Sequence, residues 1–240
     1  MRVILSLLFN IQMYVMMLVI GITYLPWALA SRRGAYAGSH AFCRWVRFTA
    51  RVMLGLRTEI RGTPPTGECI VAAKHQSFLD ILMILGALPA GKFIMKRELM
   101  YAPIIGQYAL RIGCVPVDRG KRGQAIRKMA ADVASGAQHP GQMIIYPQGT
   151  RIAPGVKAPY KVGTAALYSQ LGQTCVPVAA NVGVFWPKRG ITRKPGLAVI
   201  EFLDPIAPGL DNLAFMAKLE EMIETRSDAL MAEAGFHGSH

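Results

Sequence analysis

Four residues separate His75 from Asp80, and an imidazole beside a carboxylate is the pairing that general-base chemistry on a hydroxyl needs. The acid fixes the ring's tautomer and stabilises the imidazolium formed when the base takes a proton. The pair closes an apolar run, Ile70-Val71-Ala72-Ala73, whose composition predicts a buried strand. Ser77 and Asp80 have the S-x-x-[DE] form of a helix N-terminus, with Ser77 as the cap. On one continuous helix, side chains five positions apart point about 140° away from each other. A turn ahead of the cap removes that obstacle, because it folds the imidazole back onto the first-turn carboxylate. The same residues equally suit a plain helix start with a histidine nearby, so other segments must decide between cap and base.

Two further segments join a strand pattern to polar residues. Gly113-Cys114-Val115-Pro116-Val117-Asp118-Arg119-Gly120 delivers an Asp-Arg pair and a glycine at the end of an apolar run. Ile144-Ile145-Tyr146-Pro147-Gln148-Gly149-Thr150-Arg151 closes in a Pro-x-Gly turn carrying a hydroxyl and a guanidinium. Glycine permits close backbone approach, Thr150 can donate a hydrogen bond, and Arg151 can grip a phosphate with a planar fork of donors. Each segment alone also reads as an ordinary turn or a surface ion pair. Three strand ends directed to one rim, with a base, an orienting acid and two arginines, favour an anionic substrate that bears a reactive hydroxyl.

Charge and hydropathy narrow the partners. The 240-residue chain is 52% hydrophobic, which is high for a freely soluble protein, and its formal net charge is +13. That excess calls for an anionic partner: nucleic acid, a phospholipid surface or a phosphorylated small molecule. No Asp or Glu precedes Glu59, whereas Arg2, Arg32, Arg33, Arg44, Arg47, Arg51 and Arg57 do, a distribution suited to an anionic cytoplasmic leaflet. A second acid-free stretch, residues 133–200, holds Arg151, Lys157, Lys161, Lys188, Arg189, Arg193 and Lys194, most of which read singly as a solvated basic face. Nucleic acid is not expected, since neither interleaved aromatics nor a recognisable binding module accompanies the basic residues. Cys43, Cys69, Cys114 and Cys175 are scattered without metal-ligand spacing, so no metal site is predicted and the thiols are expected to be reduced. No basic partner adjoins Cys114, which argues against a nucleophilic role for it.

These groups are positioned by an alternation of short apolar runs with helical periods. Strands are predicted at residues 58–61, 69–73, 93–95, 114–117, 143–146, 175–180 and 197–203. Helices are predicted at 78–86, 101–112, 124–134 and 163–171, with a final amphipathic helix at 212–234. Such alternation predicts an α/β fold with a largely parallel central sheet flanked by helices. In that class, ligands collect at the carboxyl ends of the strands. Ahead of it, residues 3–31 are uncharged and long enough for a bilayer. They read either as a tilted span or as a membrane-embedded helical hairpin formed with residues 41–56. The division expected is a membrane-anchoring helical segment at 1–56 and an α/β catalytic domain at 57–240. Arginines after the apolar run place that domain on the cytoplasmic side of the inner membrane.

The blocks in order resemble the glycerolipid acyltransferases, in particular the bacterial 1-acylglycerol-3-phosphate acyltransferases. His75 and Asp80 match a His-x4-Asp motif, and Val117-Asp118-Arg119 matches a Val-Asp-Arg-like run. Tyr146 to Arg151 matches Phe-Pro-Glu-Gly-Thr-Arg, and Val176-Pro177-Val178 matches a final apolar block. The resemblance covers about residues 56–202, with two departures: Lys74 where many members have asparagine, and Gln148 for the family glutamate.

The resemblance implies transfer of a fatty acyl group from acyl-CoA or acyl carrier protein to the sn-2 hydroxyl of lysophosphatidic acid, giving phosphatidic acid. His75 would be the base, Asp80 its orienter, and attack on the thioester would be direct. Arg119, Thr150 and Arg151 would hold the phosphate beside Gly149. The Gln148 amide would hydrogen-bond a glycerol hydroxyl, and backbone N–H groups near Ser77 would face the oxyanion. No cofactor beyond the acyl carrier is implied. The competing expectations are another lyso-lipid acceptor such as a lyso-ornithine lipid or lysophosphatidylcholine, glycerol 3-phosphate, a thioesterase, or a membrane-tethered anionic-lipid binder without chemistry.

Overall fold

The computed structural model describes residues 1–117 and 139–237. Seven strands form one sheet: β1 (Leu56–Arg61), β2 (Cys69–Ala73), β3 (Gly91–Lys96), β4 (Val115–Val117), β5 (Gln142–Ile145), β6 (Cys175–Ala180) and β7 (Gly196–Phe202). They lie in the order β1-β7-β6-β2-β5-β3-β4. Every neighbouring pair is parallel except β6 and β7. The sheet is thus largely parallel, as the alternating pattern predicts. Its direction reverses at β7, and β7 takes β1 with it. The five parallel strands send their carboxyl ends to one edge. Because β2 and β5 are direct neighbours, the segments that follow them begin side by side.

Period-two alternation sorts the strand residues between two cores. From β2, Val71 and Ala73 join Ile144, Val178 and Ile200 on one face. Ile70 and Ala72 join Met143 and Cys175 on the other. The first face is covered by α2 (Arg32–Leu54) and α3 (Leu79–Ala87). The second is covered by α5 (Gly163–Leu171) and α6 (Asn212–Glu233), whose Leu219 and Ile223 are fully buried. Burial on both faces is why the central strands read as continuous apolar runs.

Residues 101–112 do not form one helix. A 3₁₀ turn (Arg97–Tyr101) ends at Ala102, which is extended, and α4 (Ile105–Arg111) begins after Pro103. Proline biases the residue before it away from the helical region and has no N–H to donate, so the two pieces cannot merge. The predicted helix at 124–134, and Asp118, Arg119 and Gly120, lie outside the described residues.

The N-terminal segment is a helical hairpin. Helix α1 (Arg2–Ala30) breaks at extended Ser31, whose hydroxyl accepts from Gly34 N and starts α2. Cys43, Val46 and Ala50 tie α2 into the core. Helix α1 is long and apolar enough to cross a membrane, and only 17% of its most apolar 18-residue window is buried within the protein. Ile4, Ile11, Val15, Val19 and Ile22 are exposed along it. Two of its attachments to the rest involve the core and α4. Near its start, Phe9 and Met13 enter the main core. Near its middle, Ile104 packs against Gly21, where a Cβ would lie 2.4 Å from Ile104 Cγ2, and Tyr108 donates to the Gly21 carbonyl at 2.8 Å. Ile104 adopts φ 63° with ψ −61°, a positive-φ conformation unusual for a β-branched residue.

Candidate active site

The turn after β2 brings His75 onto Asp80. His75 Nδ1 lies 2.9 Å from Asp80 Oδ1, and Asp80 Oδ2 accepts from the backbone N–H groups of Gln76 (2.9 Å) and Ser77 (2.7 Å). Ser77 Oγ in turn accepts from Leu79 N at 3.1 Å. Turn and dyad are therefore one structure: Asp80 holds the backbone ahead of α3 with one oxygen and the histidine with the other. A carboxylate only accepts, so Nδ1 carries the proton and Nε2 is the basic nitrogen. Asp80 is fully buried, while the His75 side chain keeps 13% exposure. The N–H groups of residues 76, 77 and 79 are engaged by Asp80 and Ser77.

The segment after β5 packs directly on this turn. The Tyr146 ring stacks on the imidazole with centroids 3.9 Å apart and planes 17° apart. Its hydroxyl is buried beside Asp80, and burial first, then that carboxylate, push its pKa well above the usual phenol value. Ile152 N donates to the His75 carbonyl at 2.8 Å, joining His75 to the end of the Gly149-Thr150-Arg151 turn. Gln148 is buried, its amide donating to the Ala158 carbonyl at 3.4 Å. Gly149 has φ 69°, a backbone conformation that favours glycine, and a Cβ there would sit 3.0 Å from the Lys161 Nζ. Lys188 Nζ donates to the Arg151 carbonyl at 2.9 Å and to Thr150 Oγ1 at 3.4 Å.

Of the residues singled out in the sequence, His75, Asp80, Gln148, Gly149, Thr150 and Arg151 are gathered at one edge of the sheet. Arg119 lies outside the described residues. Sequence reasoning missed Tyr146 as a stacking partner and Lys161 and Lys188 as neighbours of the turn. The available signal was the acid-free stretch that contains both lysines. The departure at Lys74 also has a structural counterpart. This residue is 3% exposed, its Nζ lies 2.6 and 2.5 Å from the two carboxylate oxygens of Glu224 on α6, and Tyr160 donates to the same carboxylate at 2.8 Å.

All four cysteines are buried and unpaired, and burial pushes the Cys114 thiol up to about 11. Among the described residues no group of three or more His, Cys, Asp or Glu side chains is arranged to hold a metal.

Comparison with known proteins agrees with this geometry. A family model described as Acyltransferase matches residues 57–181, a span containing His75, Asp80, the whole Tyr146 to Arg151 turn and Val176 to Val178. The 1-acyl-sn-glycerol-3-phosphate acyltransferase of Pseudomonas aeruginosa is 28% identical over 194 residues, covering 80% of this chain and 76% of that protein. The alpha form of the same enzyme from Mus musculus is 30% identical over 182 residues, covering 73% and 64% respectively. The crystal structure of the 1-acyl-sn-glycerophosphate (LPA) acyltransferase PlsC from Thermotoga maritima superposes with a TM-score of 0.79 at 22% identity, over 97% of this chain and 100% of that one, and so shares the fold. With the family model spanning more than half of its length, this chain belongs to the acyltransferase family.

Proposed function

We propose that this chain moves a fatty acyl group from the thioester of acyl-CoA or acyl carrier protein to the sn-2 hydroxyl of 1-acyl-sn-glycerol 3-phosphate, producing phosphatidic acid for phospholipid synthesis. The observation that carries the reading is the His75–Asp80 pair with Nε2 left for substrate, joined through Ile152 to a turn that bears Arg151. Family membership and the printed names of the relatives support the reaction class.

In this reading His75 Nε2 takes the proton of the acceptor hydroxyl as its oxygen attacks the thioester carbonyl. Asp80 stabilises the imidazolium, and the same proton passes to the departing thiolate as the tetrahedral intermediate collapses. No acyl-enzyme forms, because the thiols are buried and, among the described residues, no serine hydroxyl is hydrogen-bonded to His75 Nε2. Thr150, Arg151 and Arg119 hold the phosphate beside Gly149, and Gln148 orients the glycerol. The reaction needs no cofactor beyond the acyl carrier.

The acceptor and product are lipids, which gives the hairpin its purpose. Residues 1–56 anchor the chain to the inner membrane through the apolar face of α1. Residues 57–240 carry the chemistry on the cytoplasmic side, where acyl-CoA and acyl carrier protein are found. The test is a thioester-consumption assay of the purified protein against a panel of lyso-lipids, with both donors. Turnover that requires lysophosphatidic acid and yields phosphatidic acid is expected. Free fatty acid released without any acceptor would identify a thioesterase, and turnover confined to another lyso-lipid would reassign the acceptor.

A further inference from the structure

We propose that Lys188 is an acceptor-phosphate residue and that helix α1 holds it in place. The inference rests on the lysophosphatidic acid reading above. Three cationic side chains meet on one short turn. Lys161 lies over Gly149, Lys188 bonds to Thr150 and to the Arg151 carbonyl, and Arg151 is itself part of the turn. Among the described residues none of the three has an acidic partner. Cations gathered without an acid repel one another, and a bound dianion relieves that repulsion. A phosphate monoester, at about −1.5 to −2 charge near neutral pH, is such a ligand. An ammonium has three donors, so Lys188 can hold the turn and still face a phosphate oxygen.

A lysine on a loose surface loop would be solvated and contribute little, but this loop is fastened. Arg193 N donates to Ser6 Oγ of α1 at 3.0 Å, and the Arg193 guanidinium lies 4.6 Å above the Trp186 ring. The same guanidinium donates to the Gly190 and Ile191 carbonyls at 3.0 and 2.9 Å, fixing the path of the loop, and reaches Asn10 Oδ1 of α1 at 3.4 Å. Trp186, only 2% exposed, meets Phe9 of α1 edge-on at 5.4 Å and Phe78, beside the His75 turn, at 6.2 Å. Lys188 is two residues from Trp186. The membrane-facing helix, the loop and the phosphate turn thus form one connected unit, and α1 preorganises the grip as well as anchoring the chain.

The experiment uses the full chain in detergent micelles, where no bilayer is present, with acceptor and donor concentrations varied independently. Lys188→Ala should raise the acceptor KM about tenfold, the order of one lost charge-assisted bond, with donor KM within about twofold. Lys188→Arg should recover most of it. The fall in wild-type acceptor KM as the phosphate takes its second charge, near pH 6, should be flatter in Lys188→Ala. Arg193→Ala should raise the same KM, and the double variant should add little to Lys188→Ala alone. An unchanged acceptor KM in Lys188→Ala, alongside a raised one in Arg151→Ala, overturns the assignment and leaves the substrate reading standing. A silent or fully additive Arg193→Ala overturns the link to α1. Absence of any turnover on lysophosphatidic acid would strike the substrate reading instead. Thermal stabilisation by glycerol 3-phosphate then decides the phosphate site: it should be present in wild type and lost in Lys188→Ala, and equal shifts would overturn the proposal.

Discussion

The turn after β2 and the turn after β5 stand side by side, and they differ in where their hydrogen bonds go. In the first, Asp80 turns both oxygens inward, one to His75 and one to two backbone N–H groups, with Ser77 closing the helix start behind it. In the second, Thr150 is exposed, the cations of residues 151, 161 and 188 lack acidic partners among the described residues, and much of the contact comes from one lysine. A base must already be aligned when the substrate arrives, so its supports are internal and buried. A grip on a charged headgroup needs its donors available to the ligand. On the proposed reading, alignment belongs to the β2 turn and capture to the β5 turn.

The comparison breaks most sharply at the dyad. His75→Ala should abolish acyl transfer. Asp80→Asn should cost about 10⁴ in turnover, the order seen when the analogous aspartate of a serine-protease triad is amidated. The backbone donors of Gln76 and Ser77 require the amide oxygen on their side, which leaves the amide nitrogen facing Nδ1. The imidazole is then held with its proton on Nε2 and cannot accept another there. Turnover and thermal unfolding measured on the same preparations test this. Preserved activity per folded molecule in His75→Ala would reduce the pair to a helix cap.

The capture side should fail more gently. Arg151→Ala should raise the acceptor KM by an amount corresponding to about 1.5 to 3 kcal/mol and leave the donor KM nearly alone. Impairment confined to the donor would remove the phosphate assignment. Gln148→Glu restores the family residue and forfeits the bond to the Ala158 carbonyl. It should stay within about tenfold in kcat/KM, roughly 1.4 kcal/mol, and complete loss would mean that the pocket requires a neutral residue here. The smallest effect is expected at Cys114. Its thiol stays protonated until the pH nears about 11, so at pH 8 only about one molecule in a thousand is the reactive thiolate. Mass spectrometry after iodoacetamide treatment of the native protein should find it unlabelled and activity retained. Fast labelling with parallel inactivation would reopen a role for this cysteine.

Much of this arrangement was legible in the sequence because it is local. Seven apolar runs become seven strands, and the His75 to Asp80 spacing together with the Ser77 cap dictates the dyad. Strand order was not legible, because period-two alternation says which face is buried and nothing of which strand lies alongside. The reversal at β7 is silent for the same reason. The single helix expected at 101–112 fails at Pro103, a signal that was present in the sequence. The two readings of the N-terminus could not be separated, since the choice depends on Ser31 being extended and on α2 packing against β-strand residues far along the chain. Lys161 and Lys188 looked like solvated charges because the turn they converge on is a tertiary feature.

The Lys74, Glu224 and Tyr160 cluster carries a consequence for how this sequence can change over time. Glu224 lies 150 residues from Lys74 in the chain and sits within hydrogen-bond distance of it in the fold. Lys74 cannot change alone to the asparagine found in many family members without leaving Glu224 and the Tyr160 hydroxyl to share a partly buried negative charge. Breaking such a pair from one side is costlier than exchanging both partners. Positions 74 and 224 therefore form a coupled pair of sites, and lineages with asparagine at the first should have lost the acid at the second. What looks in one dimension like an isolated departure beside His75 is, in the fold, one member of an ion pair whose other member lies on the last helix.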